Sequence, residues 1–497
     1  MFMKAIHALI APPGAGKTSW LIKQLALLND QRSVLAFPTK ILASEVKRRL
    51  QSMNIEFNSI NSDTVVGSVT ECLEENLVNQ NNTIIICTHE SLRLINPSAL
   101  QGWHLYIDEV PVTWDCTTCS FSNLSYHKVF DTIIDTVRVD GKGRVKAKDN
   151  RKLLIEELAN GVDSTLSAET RSVLTAVLDD RYVVEVDELD AKQNRTMRII
   201  GIKHYIPVFE AADATVIMGA EIEKTLLGVI LKGAGWSITP IAVELDFVGY
   251  GNKVVIHPFF MNKSYSKGAA LMKAGKNNQD YQEGCLLDDW LKVDVFRLIG
   301  NKKAILVAHT WCKPELPLPQ DSDFSNIRFI PIDSRGINDY DDYNIAICLQ
   351  HGNITPIESR SLYTLACLLS IASSILPNQI MDAIKYERFY ESTLQSVCRT
   401  ALRSKSNTGT ILLFVQDLDV ANFLVEKIGN CTIDCTHSEV YVPSTSTAKA
   451  LRNTLKQKSI ELWEQGDNTR TIADKIGKTE KTIKEWLKPY HQLQPTE

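Results

Sequence analysis

Short apolar runs alternate with longer, mixed segments along the first 110 residues of the chain. The apolar runs predict strands at residues 6–10, 33–37, 83–87 and 103–107. The mixed segments between them, of which 20–28 and 41–50 are examples, predict helices. Strands that alternate with helices form a parallel sheet with helices on both faces, and the polar chemistry of such a sheet lies beyond the carboxyl ends of its strands.

A second unit of the same kind begins after residue 250. Its pattern predicts a helix at 286–299 and strands at residues 253–257, 304–309, 329–332 and 344–349. The chain is therefore expected to contain two α/β units in sequence.

Residues 115–210, between the two units, have a different pattern. A hairpin is predicted at 137–145 around Gly141-Lys142-Gly143. It is followed by predicted helices at 151–159 and 169–178 and strands at 182–186 and 198–202. The pattern predicts a small accessory insertion. Its basic residues are interpreted as the solvated rim of the hairpin, with DNA contact as the alternative.

The last fifty residues change character again. The pattern predicts a linker at 443–446 and then helices at 448–463, 471–476 and 479–487. Ala473, Gly477 and Ile483 lie at offsets 0, +4 and +10, the spacing of a small contact residue, a turn glycine and an apolar anchor in a helix-turn-helix. The tail resembles resolvase- and transposase-type helix-turn-helix domains, which implies that the residues facing DNA are Thr479, Glu480, Lys481, Lys484 and Glu485. A three-helix protein-binding module is the alternative.

Composition and charge limit the class of protein. The chain has 497 residues, of which 44% are hydrophobic and 23% charged, and its formal net charge is −5. Roughly two to four domains of about 150 residues fit this length, and no global basic field points to nucleic acid. The apolar runs are far shorter than the ~20 residues of a membrane span. With eleven scattered cysteines, these features predict a cytoplasmic protein with reduced thiols.

Residues 11–18 read Ala-Pro-Pro-Gly-Ala-Gly-Lys-Thr and join the first predicted strand to the first predicted helix. Strand, glycine loop and helix in this order are typical of a phosphate-binding loop, whose N–H groups face an anion. Lys17 would reach the β- and γ-phosphates of a nucleotide, and Thr18 would offer its hydroxyl to Mg²⁺. The residues predicted to bind the nucleotide are Pro13, Gly14, Ala15, Gly16, Lys17, Thr18 and Ser19.

Asp108 and Glu109 directly follow the strand predicted at 103–107. An acidic residue at a strand end can hold Mg²⁺, usually through water, and its neighbour can polarise an attacking water. A helix N-cap is the alternative. The position of the pair, about 90 residues after the phosphate loop, favours the second half of a nucleotide site.

With these motifs the chain resembles the superfamily-2 helicases of the DEAD/DEAH-like kind. The matching positions are Ala11 at the start of the phosphate loop, Pro38-Thr39-Lys40 and Thr88-His89 in nucleic-acid-contacting motifs, and Asp108-Glu109 in the Asp-Glu box. Val110-Pro111 departs from the known subtypes, and no adenine-reading glutamine motif precedes Ala11. The resemblance implies ATP and Mg²⁺ as ligands, with nucleic acid contacted by Thr39, Lys40 and Thr88.

Later stretches extend the resemblance. Gly219-Ala220-Glu221 lies where the family has a Ser-Ala-Thr motif, although only its alanine matches. The Arg335-Gly336-Ile337-Asn338 stretch resembles a family motif that contacts nucleic-acid backbone and nucleotide, which implies such contacts from Arg335 and Asn338. A turn built on its glycine is the alternative.

Gln395, Arg399 and Arg403 are spaced i, i+4 and i+8, so we expect one helix to carry all three on one face. In the family such a helix supplies arginine fingers that reach across a cleft to the γ-phosphate. The family places the second arginine three residues after the first, whereas here it lies four residues later. A solvated basic stripe is the alternative.

Together these observations predict an α/β fold with two RecA-like parallel-sheet lobes, an inserted accessory segment and a small all-α helix-turn-helix tail. The expected domains are residues 1–223, with the insertion at about 115–210, residues 224–440 and residues 447–497. The residues expected to carry the site are Lys17, Glu109, Gln395, Arg399 and Arg403 for catalysis, and Thr18 and Asp108 for the metal.

The resemblance implies an ATP-dependent helicase or translocase that moves on single-stranded DNA, with RNA as another possible track, and that binds duplex DNA through its tail. A DNA-binding regulator that uses the ATPase as a nucleotide switch without unwinding is the main alternative. A packaging motor would need a carboxylate cluster in its second domain, for which Asp339, Asp341 and Asp342 are a poor match because they lie in a predicted turn. Cys116 and Cys119, with the loose group Cys431, Cys435 and His437, are candidate ligands of a zinc site, but neither spacing repeats the other, so reduced thiols without a metal are the favoured interpretation.

Overall fold

The structure of the chain is a computed structural model. It describes residues 4–28, 31–139, 142–161, 165–190, 193–274, 276, 278, 280–309, 326–330, 332, 339–351, 362–366, 375–404, 406–442, 455–456, 458–463 and 465–491. The chain divides into two compact units, Met1–Ser266 with Trp290–Glu439 and Lys267–Asp289 with Val440–Glu497.

The strands, in chain order, form both lobes and the insertion between them. They are β1 Ala5–Ile10, β2 Ser33–Phe37, β3 Asn58–Ser59, β4 Ile84–Thr88, β5 His104–Asp108, β6 Trp114–Ser122, β7 Ile134–Val139, β8 Lys142–Ala147, β9 Tyr182–Val186, β10 Asn194–Ile202, β11 Ala214–Gly219, β12 Ser237–Pro240, β13 Val254–Phe260, β14 Ala304–Val307, β15 Ile327–Ile330, β16 Ile345–Cys348, β17 Ile411–Asp417 and β18 Cys431–Ile433.

The helices connect these strands or extend beyond them. The α-helices are α1 Lys17–Leu27, α2 Lys40–Ser52, α3 Val69–Asn79, α4 His89–Leu94, α5 Asn123–Val129, α6 Lys152–Ala159, α7 Ala168–Leu178, α8 Ile206–Ala211, α9 Leu226–Gly233, α10 Lys267–Ala270, α11 Leu286–Asp289, α12 Phe296–Ile299, α13 Pro377–Lys385, α14 Ser392–Val397, α15 Leu418–Ile428, α16 Thr469–Ile476 and α17 Glu480–His491. Trp290–Val295 and Tyr386–Glu391 are π-helical turns.

The first lobe is built on a seven-stranded parallel sheet with the order β12-β1-β11-β5-β2-β4-β3. Both faces of this sheet are buried: one packs a cluster that includes Trp103, and the other packs a cluster that includes Leu21 of α1. Consistent with this, all five residues of β2 are buried. Because the strands are parallel, the loops after β1, β2, β4 and β5 all leave from the same edge of the sheet.

The second lobe is built on a six-stranded parallel sheet with the order β15-β14-β16-β17-β13-β18. Phe259, Trp290 and Phe414 are among its fully buried side chains. Two parallel sheets, each flanked by helices, confirm the predicted fold class.

The insertion forms a sheet of its own. Its five strands are antiparallel in the order β6-β10-β9-β8-β7, and the hairpin predicted at 137–145 is the β7–β8 pair. Helices α5, α6 and α7 pack their apolar residues on one face of this sheet. On the other face, Trp114 and Ile200 pack against residues 362–366 and α13 of the second lobe, so the insertion rests on both lobes.

Polar contacts join the two lobes at the residues that directly follow β11 in the chain. Glu221 accepts hydrogen bonds from Lys427 of α15 at 2.6 Å and from the hydroxyl of Tyr386 at 2.8 Å. The backbone N–H of Leu226, at the start of α9, donates to Glu387 at 2.7 Å. The stretch that resembles the Ser-Ala-Thr motif therefore ends at an ion pair between the lobes.

In the second unit, α16 and α17 are joined by a short turn at Gly477, whose φ of 70° suits glycine. Ala473 and Ile483 are buried in a small apolar core, together with Trp486. The predicted anchor positions thus lie in one core, although this arrangement does not itself identify a ligand. Within the part of the chain that the structure describes, no helix has the length and apolar character that crossing a bilayer requires.

Gly228 of α9 lies against the backbone of the turn that precedes this helix. A Cβ at residue 228 would lie 2.2 Å from the carbonyl oxygen of Ile222 and 2.8 Å from Cα of Glu223. Because both atoms are backbone, the turn would have to move, and we expect Gly228→Ala to lower the free energy of unfolding by about 1–3 kcal/mol. Chemical denaturation followed by circular dichroism measures this loss.

Gly251→Ala is the matched control, since a Cβ at residue 251 meets no atom within 4 Å. We expect this variant to unfold at the same denaturant concentration as the unchanged chain. Equal midpoints for the two variants would contradict the close packing at residue 228.

Candidate active site

The loop between β1 and α1 depends on glycine at two positions. Gly14 has a φ of 79° and Gly16 a φ of 89°, both in the left-handed region that other residues rarely adopt. Gly16 is the N-cap of α1, and the first residues of that helix are Lys17, Thr18 and Ser19. The N–H groups of the first turn therefore open toward the concave side of the loop, a geometry that binds anions.

Lys17 is held by the same loop. Its Nζ donates hydrogen bonds to the carbonyl oxygens of Ala11 at 2.8 Å and Pro12 at 3.1 Å. Burial lowers the pKa of Lys17, and the charges of Asp108 and Glu109 oppose that shift. A polyphosphate would offer charged acceptors in place of these neutral carbonyls, and charge-assisted hydrogen bonds are the stronger kind.

Thr18 and Asp108 meet at the other side of the loop. The Thr18 hydroxyl donates to the Asp108 carboxylate at 2.9 Å. Burial raises the pKa of Asp108, whereas the Thr18 hydrogen bond and the charge of Lys17 oppose the rise. A hydroxyl and a carboxylate oxygen beside a phosphate loop are oxygen donors of the kind that Mg²⁺ takes together with substrate phosphates, so these residues fit that ion.

No group of three or more His, Cys, Asp or Glu side chains is placed to hold a metal ion among the described residues. This applies to Cys116 with Cys119, and to the group at 431–437, both of which lie within the described part. It also applies to Asp339, Asp341 and Asp342, the acids considered for a packaging motor. Mg²⁺ bound through one or two protein oxygens and a nucleotide does not need such a group.

Glu109 lines the cavity next to Asp108 and has an unusual backbone. Its φ is 62°, which places a non-glycine residue in the left-handed region. Such conformations cost about 1–3 kcal/mol and persist where the surrounding structure holds them. The residue expected to polarise water is therefore held in one particular conformation.

The second lobe contributes Gln395, Arg399 and Arg403. We predicted that one helix would carry all three, and this prediction is wrong. The helix α14 ends at Val397, and Arg403 belongs to a short 3₁₀ turn, Ala401–Arg403. Thr400 is the reason: its hydroxyl donates to the Val397 carbonyl at 2.7 Å and its own backbone is extended. A threonine hydroxyl that takes a helix carbonyl competes with continuation of the helix.

Despite this break, the two arginines face the same space as the phosphate loop. Arg399 is buried, and the side chain of Arg403 lies so close to Gly14 that a Cβ on that glycine would be 2.6 Å from Cδ of Arg403. One cavity of about 230 Å³ is lined by both lobes. Its lining residues are Pro13, Gly14, Gly16, Lys17, Thr18, Ser19, Leu42, Glu45, Arg49, Asp108, Glu109, Gly219, Ala220, Glu391, Gln395, Cys398, Arg399 and Arg403.

Among those lining residues, four are basic and four acidic, so their formal charges cancel. Ala15, which we predicted to bind the nucleotide, is absent from the lining, because its side chain is buried in the core beneath the loop. A cavity with balanced charge favours a polyphosphate that arrives with a cation over a bare polyanion.

Sequence reasoning missed several residues of the cavity. Leu42, Glu45 and Arg49 lie at i, i+3 and i+7 of α2, which is one face of a helix and a signal that the sequence does carry. Arg49 donates to the Ser19 hydroxyl at 2.8 Å.

Tyr250 lies in the segment that joins the two lobes, and no pattern in the sequence marks it as a residue of the site. Its hydroxyl donates to the Pro13 carbonyl at 2.7 Å and lies 3.2 Å from the sulfur of Cys398.

The residues expected to contact nucleic acid in the first lobe lie outside this cavity. Thr39 follows β2, and Thr88 is the last residue of the neighbouring strand β4. The two residues cap α2 and α4, where their hydroxyls accept hydrogen bonds from the N–H groups of Leu42 and Ser91. Lys40 pairs with Asp63 at 2.6 Å on the surface. These side chains therefore have structural partners at the carboxyl edge of the sheet.

The remaining predicted contacts are divided between two parts of the chain. Arg335 and Asn338 lie outside the described residues. In the tail, Thr479, Lys481 and Lys484 are exposed at the start of α17, where Lys484 pairs with Glu480 at 2.9 Å.

The chain matches no protein-family model and no curated protein sequence. Among solved structures, it is similar to S. tokodaii Xpd4, with a TM-score of 0.51 and 9% identity over 88% of this chain and 96% of that one. The XPD helicase structure gives a TM-score of 0.49 and 11% identity over 86% and 96%. S. cerevisiae Dbp5 bound to RNA and ADP BeF3 gives 0.35 and 10% over 92% and 89%. The likeness to Xpd4 shows a shared fold.

We expect Tyr250→Phe to weaken nucleotide binding several-fold and to lower the free energy of unfolding by about 1–3 kcal/mol. In the variant the Pro13 carbonyl no longer accepts a hydrogen bond from the phenol hydroxyl of the buried residue Tyr250. Titration with a fluorescent nucleotide and chemical denaturation measure the two effects.

Tyr363→Phe is the control, because the Tyr363 side chain is 64% exposed and the same oxygen atom is removed. An unchanged nucleotide affinity in Tyr250→Phe would contradict the view that this hydrogen bond supports the phosphate loop.

Proposed function

We propose that the chain is an ATP-driven helicase or translocase that moves on nucleic acid. One observation carries the proposal. Lys17 of the first lobe and Arg399 of the second lobe line the same cavity, with Asp108 and Glu109 beside them. A triphosphate bound there would contact both lobes, which is how hydrolysis can change the relation between two lobes.

In this proposal the phosphate loop holds the nucleotide through residues 13–19, and Lys17 contacts its terminal phosphates. Thr18 and Asp108 supply oxygen ligands to Mg²⁺, which when bound offsets the negative charge of the phosphates. Glu109 orients the attacking water. Arg399 stabilises the developing charge from the second lobe, with Arg403 and Gln395 beside it.

The nucleic acid would run across the two lobes and not through the nucleotide cavity. In the first lobe it would pass the carboxyl edge of the sheet at Thr39, Lys40 and Thr88. In the second lobe it would pass Arg335 and Asn338. Backbone N–H groups, hydroxyls and lysines contact phosphates rather than bases, so binding there would not depend on sequence. We propose single-stranded DNA as the track, and RNA is the other outcome of the test.

The tail would recruit this motor to duplex DNA. Exposed lysines at the start of a second helix are placed as base and phosphate contacts are in helix-turn-helix proteins. We further propose three domains, with the insertion in the first, the second ending at residue 440 and the tail at 447–497, and a cytoplasmic location. Because β12 is an edge strand of the first sheet, the boundary expected at residue 223 moves beyond residue 240.

ATP hydrolysis by the full chain should rise on addition of single-stranded DNA. Lys17→Ala should abolish it, and Glu109→Gln should leave only a small residual turnover. Arg399→Ala should lower turnover by about 10³-fold or more, because an arginine finger contributes roughly 10³–10⁵ in rate. Phosphate release measured with and without single-stranded DNA, RNA and duplex DNA tests this and identifies the track.

Arg328→Ala is the matched control, since Arg328 is an exposed arginine on β15 of the same lobe. Unchanged turnover in Lys17→Ala would overturn the proposal. Strand-displacement assays distinguish the helicase or translocase from the DNA-binding regulator. ATP hydrolysis without strand displacement or translocation would favour the regulator.

The tail makes a separate prediction. Lys481→Ala in the full chain should weaken duplex binding at all sequences and reduce the slope of log affinity against log salt by about 0.9, the value for one phosphate contact. Lys458→Ala removes an equally exposed charge from the helical segment 458–463 and should leave the slope unchanged. Equal slopes for the two variants would exclude α17 as the duplex contact.

A further inference from the structure

The peptide group that precedes Glu109 is hydrogen-bonded to a buried histidine, His89, which the proposed mechanism does not use. The ring nitrogen Nε2 of His89 lies 3.1 Å from the carbonyl oxygen of Asp108. His89 is 7% exposed, and its own carbonyl accepts a hydrogen bond from the Tyr205 hydroxyl at 3.3 Å. A chain of buried hydrogen bonds therefore runs from Tyr205 through His89 to the end of β5.

The carbonyl that accepts this hydrogen bond belongs to the peptide unit joining Asp108 to Glu109. Because a peptide unit is planar, fixing its oxygen also fixes the N–H of Glu109 and limits the backbone rotation there. The φ of Glu109 is 62°, a conformation that needs outside support. The N–H of Glu109 also bonds the Asp108 carboxylate, so the peptide is held at both ends.

The position of His89 is itself fixed. Thr88, the residue before His89, is the N-cap of α4. Its hydroxyl accepts a hydrogen bond from the N–H of Ser91, and the Ser91 hydroxyl accepts one from the N–H of Thr88, which is a capping box. His89 is the first residue of that helix, and β4 and α4 carry it to the edge of the sheet where β5 ends. The histidine is thus placed by the same turn that carries Thr88.

We propose that His89 is a positioning residue for Glu109: by donating Nε2–H to the Asp108 carbonyl, it holds the carboxylate of Glu109 toward the cavity. This inference deepens the proposed ATPase function and rests on it. The effect should fall on the chemical step and not on nucleotide binding, because His89 is not among the residues that line the cavity. A misplacement of about 1 Å in a catalytic group can cost roughly 10²-fold in rate.

The test compares the full chain with His89→Ala, His89→Gln and the control His104→Ala, all measured for kcat, KM and ADP affinity. His104 is a partly exposed histidine at the opposite end of β5. We expect His89→Ala to lower kcat by ten- to a hundredfold, with KM and ADP affinity changed less than twofold. His89→Gln, whose amide can donate to the same carbonyl, should recover most of kcat, and His104→Ala should behave as the unchanged chain.

A double-mutant cycle separates positioning from general loss of structure. If His89 acts through Glu109, His89→Ala should cause less than a twofold further loss in the residual turnover of Glu109→Gln. An equal loss in both backgrounds, an unchanged kcat in His89→Ala, or a parallel loss of ADP affinity would overturn the inference. If the unchanged chain hydrolyses no ATP, the proposed function fails as well. An active chain that is insensitive to His89→Ala overturns only the positioning role.

Discussion

The cavity between the lobes depends on a partly buried cation whose hydrogen bonds, in the described part of the chain, go to neutral carbonyls. Lys17 donates to two backbone carbonyls of its own loop, and its charge is balanced at longer range by Asp108 and Glu109. Burying a charge is unfavourable unless hydrogen bonds and opposite charges compensate for it. The loop, the acidic pair at the end of β5 and the arginines of the second lobe are therefore one electrostatic system, and their formal charges sum to zero with the other lining residues.

How much of this could be read from the sequence differs between elements. The glycine loop between β1 and α1 was predictable because local patterns specify it: an apolar strand, glycines at left-handed positions and a helix start. The position of Asp108 and Glu109 at the end of a buried strand was predictable for the same reason, whereas their roles stay predictions. The fold class followed from alternating strands and helices. The helix expected through Arg403 did not form, because Thr400 takes the Val397 carbonyl, and a spacing argument does not weigh such a local competitor.

Tertiary placement was out of reach of pattern reasoning. Tyr250 lies in a segment without regular structure, so no periodicity marks it, and its contact with Pro13 joins residues 237 positions apart. The same holds for Glu221, which pairs with Lys427 across the lobe boundary. Both groups are partly exposed there, and ion pairs of this kind contribute little net stability.

Tyr250 ties the segment that joins the lobes to the phosphate loop. The same residue belongs to the tether between the lobes and bonds the carbonyl of Pro13, directly beside the glycine that Arg403 covers. If the proposed function holds, a movement of the second lobe that lengthened this bond would weaken the hold of the loop on a bound diphosphate. Release of the product and separation of the lobes would then be coupled through the hydrogen bond between Tyr250 and Pro13.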